Sequence, residues 1–178
     1  DMNGDGHLDI VGIAISSAYY LQILFGDGKG GFTTAAQRYN VQPVLPEEIL
    51  LADFDGDGAV DVFVAPSFSS GSAVVYRNLG NGILAFVESI ALPPATSNLT
   101  PTSPIAGDFD EDGVLDVALV RSGVQILFGQ GGASFRDATE IPGLDTAGFI
   151  ATADFDEDGH LDVIASPVAP TAAYQIGE

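Results

Sequence analysis

Four nine-residue stretches carry the chemistry of this chain. Asp1-Met2-Asn3-Gly4-Asp5-Gly6-His7-Leu8-Asp9 is followed by Asp53-Phe54-Asp55-Gly56-Asp57-Gly58-Ala59-Val60-Asp61, then by Asp108-Phe109-Asp110-Glu111-Asp112-Gly113-Val114-Leu115-Asp116 and Asp154-Phe155-Asp156-Glu157-Asp158-Gly159-His160-Leu161-Asp162. Carboxylates at alternate positions of so short a stretch repel one another, so either some bind protons or a cation sits among them. Side-chain oxygens fall at loop positions 1, 3, 5 and 9, and the backbone carbonyl at position 7 (His7, Ala59, Val114 and His160) can add another. An all-oxygen donor set selects a hard cation, and so many donors on a flexible loop favour Ca²⁺ over Mg²⁺, which demands strict octahedral geometry. The glycine at position 6 permits the sharp turn that wraps the chain round the ion.

The expected metal set is therefore Asp1, Asn3, Asp5, the His7 carbonyl and Asp9 in the first loop, and Asp53, Asp55, Asp57, the Ala59 carbonyl and Asp61 in the second. Asp108, Asp110, Asp112, the Val114 carbonyl and Asp116 follow in the third, and Asp154, Asp156, Asp158, the His160 carbonyl and Asp162 in the fourth. Up to four Ca²⁺ are expected, with the first loop the weakest because Asn3 replaces an aspartate. Glu111 and Glu157 fall on position 4, which points outward, and are not ligands. The first six positions match an EF-hand loop, but position 12, which must hold a bidentate Glu there, is Gly12, Val64, Leu119 or Ala165, and the flanking helices are missing.

Other chemistry finds little support. With no cysteine there is no thiolate metal site and no thiol nucleophile, and the two histidines both sit at loop position 7. No Ser-His-Asp set, phosphate loop or Gly-x-Ser-x-Gly elbow occurs, and nothing marks out Glu47, Glu48, Glu88 or Glu140 as catalytic acids, so no enzyme is expected. Leu115-Asp116-Val117 and Leu161-Asp162-Val163 resemble an adhesion tripeptide, but their aspartates belong to the loops. Asn98-Leu99-Thr100 is a glycosylation sequon in the Pro/Ser/Thr-rich stretch 93–104, and the five tyrosines read as half-buried strand residues rather than a sugar platform.

The loops must be held by what lies between them. They start 52, 55 and 46 residues apart, a period that signals a repeat architecture. After each loop comes a β-branched run (Ile10–Ile15, Val62–Ala65, Val117–Val120, Val163–Ala165), and a second run follows (Leu21–Gly26, Ala73–Tyr76, Val124–Gly129, Ala173–Gly177). A Gly-rich turn then leads to a third run opened by Phe32, Phe86 or Phe135, and a further run precedes the next loop (Ile49–Ala52, Ile105–Gly107, Phe149–Ala153). These read as strands, with helix nearly absent. Each unit supplies four short antiparallel strands that are apolar on both faces, which calls for sheets stacked face to face as propeller blades, with a sandwich or β-helix as the competing arrangement.

The four loops, their strand flanks, Phe25-Gly26, Phe128-Gly129 and the small-Pro turns Ala65-Pro66 and Ser166-Pro167 resemble FG-GAP repeats, also called VCBS repeats, across essentially the whole chain. Repeat two departs from the pattern, with Tyr76-Arg77-Asn78 where repeats one and three have Leu-Phe-Gly. The resemblance implies an all-β fold of calcium-binding blades of the integrin α-subunit type, seven to a propeller, with the acidic loop joining the first two strands of each blade. The repeats are expected at about 1–48, 49–103, 104–148 and 149–178, or about three and a half blades. Either the chain is a segment of a larger propeller, or it is a subunit whose open edges are completed by neighbouring copies. The resemblance further implies an extracellular or cell-surface module, non-catalytic and structural or adhesive, with a protein or carbohydrate ligand; a lectin or a filament subunit is the alternative.

Charge fits this reading. The chain of 178 residues has 25 acidic and 5 basic side chains and a net charge of −20, with 46% hydrophobic residues. That composition supports a core, unlike an acidic disordered tail, and five cations cannot track phosphate, so no nucleic-acid partner is expected. The uncharged run Val11–Gly26 is too short for a spanning helix and reads as two strands, so no membrane insertion is expected. Of the 25 acids, 15 are loop ligands, three in the first loop and four in each of the others. Four Ca²⁺ would bring the net charge to about −12.

Overall fold

The computed structural model describes residues 1–41, 46–67, 71–93, 104–121, 123–144 and 147–167. The short β-branched runs between glycine-rich turns become thirteen strands: β1 (Ile10–Ile15), β2 (Tyr19–Gly26), β3 (Phe32–Asn40), β4 (Pro46–Ala52), β5 (Asp61–Pro66), β6 (Ser72–Asn78), β7 (Leu84–Ala91), β8 (Ile105–Gly107), β9 (Asp116–Val120), β10 (Val124–Leu127), β11 (Thr139–Glu140), β12 (Ala147–Ala153) and β13 (Asp162–Pro167). No helix occurs among the described residues, and none there could cross a membrane. The strands form four antiparallel sheets in chain order: β1-β2-β3, β4-β5-β6-β7, β8-β9-β10-β11 and β12-β13. These sheets do not close into a ring.

Every acidic loop joins a pair of adjacent strands or leads into one: the second joins β4 to β5, the third β8 to β9, the fourth β12 to β13, and the first runs into β1. Because side chains alternate across a strand, each inner sheet serves two neighbours. In β5 and β6, Val62, Val64, Val74 and Tyr76 face the first sheet, where they pack with Leu21, Ile23 and Tyr39. Phe63, Ala65, Ala73 and Val75 face the third, packing with Val117, Leu119 and Leu127. Hence β5 and β9 are buried along their whole length, as strands covered on both faces must be. Each such valine, leucine, isoleucine or phenylalanine contributes about 1.5–3 kcal/mol when fully buried. A smaller cluster, Val120, Val124 and Ala147, joins the third and fourth sheets.

The fourth strand of the third sheet is much reduced: Phe135 makes one isolated bridge with Gly129, and β11 has two residues. Its ring instead fills the seam with the second sheet, edge-on to Phe54 and Phe63 at 5.4 and 5.9 Å between centroids. The run 173–177 lies outside the described residues.

Candidate metal centres

In each loop the position 1 carboxylate organises the turn. Asp53 accepts from the backbone N–H of Gly56, Asp57 and Gly58 at 2.8, 3.1 and 2.8 Å. Asp1 does the same with Gly4, Asp5 and Gly6 at 2.7, 3.2 and 2.7 Å. Asp108 and Asp154 each receive the N–H groups of positions 5 and 6. The position 5 carboxylate accepts from the N–H of position 7 in all four loops. Position 6 is glycine with φ between 85° and 96°, a conformation that costs an L side chain strain.

Position 9 reaches further. In the first three loops each of its two oxygens accepts one backbone N–H, and the two donors lie on different segments. Asp116 receives Phe109 N at 2.8 Å and Gly129 N at 2.7 Å. Asp61 receives Phe54 N and Asn78 N at 3.0 and 2.8 Å, and Asp9 receives Met2 N and Gly26 N, both at 2.8 Å. Asp162 receives Phe155 N at 2.9 Å. One aspartate thus ties the loop entrance to the end of the next-but-one strand. Asp61 and Asp116 are fully buried. Burial pushes Asp61 up to about 6, against the pull of its two N–H donors and with help from Asp55 and Asp57; burial raises Asp116 likewise. A buried carboxylate crowded by like charges is the electrostatic setting that a cation relieves.

The Phe-Gly pairs have their reason here. A Cβ on Gly26 would lie 2.2 Å from the Leu8 carbonyl oxygen, and one on Gly129 would lie 2.5 Å from that of Leu115. In these two repeats only glycine lets the strand end lie so close to the position 8 carbonyl while giving its N–H to position 9. Repeat two solves the same problem differently. Asn78 also gives its N–H to Asp61, and its carboxamide donates to the carbonyl of Val60, the position 8 residue, at 3.1 Å and to that of Met2 at 2.8 Å.

Three groups of acidic side chains place ligand oxygens within 4.8 Å of one another: Asp53, Asp55 and Asp57; Asp108, Asp110 and Asp116; Asp154, Asp156 and Asp162. Asp61, Asp112 and Asp158 stand outside these groups. The first loop gathers no such group among the described residues, and its Asn3 amide donates to Asp5 at 3.0 Å, which with the His7 N–H lowers the Asp5 value. A carboxylate has about four lone-pair sites, so oxygens that hold one N–H each keep capacity for a cation, and the donor set fits a hard one. Position 4 takes the left-handed conformation in all four loops, Gly4 and Gly56 in two and Glu111 and Glu157 in the others. The Glu111 carboxylate is bonded to His160 Nδ1, across from the third loop to the fourth, and raises the His160 value.

Two ion pairs at the loops escaped the sequence: Arg77 meets Asp55 at 3.3 Å and Arg136 meets Asp110 at 2.9 Å. No local pattern announces them, because each joins residues more than twenty positions apart. Asn98 lies outside the described residues.

A stack of antiparallel sheets of up to four strands, each with an acidic loop joining or leading into its first strands, defines an array of β-propeller blades. The FG-GAP-like repeat family model matches residues 1–64 and 53–119, and the chain belongs to that family. It is similar to the T-cell immunomodulatory protein homolog of Plasmodium yoelii yoelii, 25% identical over 93% of this chain, and spans about a quarter (24%) of that protein. Among solved structures it resembles part of the Photorhabdus luminescens Tc holotoxin pore, with 22% identity and a TM-score of 0.46, over 93% of this chain and 8% of that one.

Proposed function

We propose that this chain is a calcium-binding, non-catalytic propeller segment that works outside the cell as a structural or adhesive module, with Ca²⁺ fixing its acidic loops. The observation that carries this reading is the recurrence of three carboxylate groups, each within 4.8 Å, at equivalent loops of three successive sheets. The full set of holders is the one read from the sequence: positions 1, 3, 5 and 9 with the position 7 carbonyl, up to four ions. Bound Ca²⁺ would supply charge neutralisation and cross-linking. The aspartates orient the loop, and the position 9 residue transmits that order to the strands. The repeats 1–48, 49–103, 104–148 and 149–178 act as one blade each, within a propeller of seven blades, and a protein or carbohydrate ligand would meet the loops that the blades present.

The test is calorimetric titration of the metal-free chain with Ca²⁺, paired with thermal melts in calcium and in chelator. Binding to two or more sites is expected. At 100 times Kd each site would add about 2.7 kcal/mol of stability. Equal melting temperatures in calcium and chelator would overturn the structural role of the metal.

A further inference from the structure

Only five basic side chains are present in the chain: Lys29, Arg38, Arg77, Arg121 and Arg136. Two of them meet the same loop position. Arg77 Nη1 lies 3.3 Å from Asp55 Oδ2, and Arg136 Nη2 lies 2.9 Å from Asp110 Oδ2; both carboxylates stand at position 3 of their loops. Both are members of the close carboxylate groups. The arginines do not reach this point by repetition of sequence. Arg77 sits in β6, one residue before Asn78, whereas Arg136 follows the Gly-rich turn after β10. The residue of the third repeat that matches Arg77 is Phe128; the Arg136 guanidinium lies over that ring, 4.6 Å from its centroid, and the Arg136 backbone N–H donates to the Phe128 carbonyl at 2.8 Å. A guanidinium is thus delivered to the same loop position from a strand in one repeat and from the segment between β10 and β11 in the next. The first loop has uncharged Asn3 at that position, and Asp156 of the fourth has no basic partner among the described residues.

We infer that Arg77 and Arg136 are tethered counter-cations: they hold the second and third loops in shape without metal, and they compete with calcium for the position 3 carboxylate. This rests on the calcium reading above. The physical basis is direct. A guanidinium and a divalent ion that share one carboxylate repel each other, and the ion must displace the arginine or accept a half-neutralised ligand. The Asp55 side chain is only 5% exposed, so solvent screens that pair poorly, whereas the Asp110 side chain is 32% exposed. The consequence is a division of labour. The inner loops keep their form as calcium falls, and the fourth loop depends on the ion.

Arg77→Gln and Arg136→Gln test this, with Arg77→Lys to restore charge without the fork and Arg38→Gln as a control, since Arg38 bonds Gln22 and no loop. Each chain is melted in chelator and titrated with Ca²⁺ by calorimetry at low salt. Arg77→Gln and Arg136→Gln are each expected to lower the metal-free melting temperature and to tighten one site about fivefold, equivalent to about 1 kcal/mol. Arg77→Lys should return the affinity most of the way, and Arg38→Gln should leave all affinities unchanged. If the unaltered chain binds calcium and both Gln variants bind it equally well or more weakly, the competition is overturned. If the unaltered chain binds no calcium, the calcium reading falls and takes the competition with it. An unchanged melt in chelator overturns the holding role.

Discussion

Gly129→Ala probes why the strand end must be glycine. The added Cβ would stand 2.5 Å from the Leu115 carbonyl oxygen, 2.6 Å from Val114 Cγ1 and 3.3 Å from the Leu115 carbonyl carbon. Ordinary contact begins near 3.4 Å, so the two segments must part by about 1 Å, and the carbonyl belongs to backbone that cannot swing aside. Parting them stretches the 2.7 Å bond from Gly129 N to buried Asp116. Overpacking of this kind costs about 1–3 kcal/mol, and loss of a hydrogen bond to a charged acceptor about 1.5–3. Because one movement serves both, about 3 kcal/mol is expected rather than the sum, or roughly 6–12 °C in melting temperature for a chain of this size. Gly12→Ala is the control: nothing lies within 4 Å of its Cβ and its φ is ordinary. Both variants would be melted in calcium and in chelator by circular dichroism. Since Val114 and Leu115 lie inside the loop, Gly129→Ala should also weaken one calcium site. A Gly129→Ala chain that melts within about 1 °C of Gly12→Ala would refute the argument that close approach fixes this residue.

Asn78→Gly, which restores the residue seen in repeats one and three, is expected to destabilise by about 2–4 kcal/mol in chemical denaturation, because its carboxamide bonds Val60 and Met2 and accepts from Gly80 and Gly82. Buried Gln125 has no partner among the described residues for either polar atom of its side chain, whereas Gln22 at the matching place in β2 bonds Ala35 and Arg38. Gln125→Met should therefore raise stability by about 1 kcal/mol and Gln22→Met lower it, read from the same denaturation curves. The metal-free chain should lose stability between about pH 4 and pH 6. Asp61 is raised from 3.8 to about 6 in the fold, so there the folded state holds a proton that the unfolded one has released. The loss is on the order of 1–3 kcal/mol, and saturating calcium, which favours the ionised form, should abolish it. His160, raised by Glu111, acts in the same sense at higher pH.

The local part of this protein was legible because its determinants are local. An aspartate that organises N–H groups three to five residues further on, with glycine at position 6 where φ is positive, writes itself into nine consecutive positions, and strands that alternate between two cores are apolar throughout. The sequence by itself therefore determined the loops, the strand runs and the stacking of sheets, with β1 ending where the pattern ends. The weak third run at Phe135 was less legible. Its ring is drawn into the seam against Phe54 and Phe63, and a phenylalanine that opens a strand has the same sequence signature as one that fills a seam. Only the tertiary structure decided what the loops touch. That position 9 is also a clamp between loop and strand, that Asn78 replaces a missing glycine, and that Arg77 and Arg136 each meet the position 3 carboxylate of a loop all depend on segments far apart in the chain. The physical reason is that a hydrogen bond or ion pair is set by where the folded sheets bring its partners, and sequence spacing carries that information only within a turn.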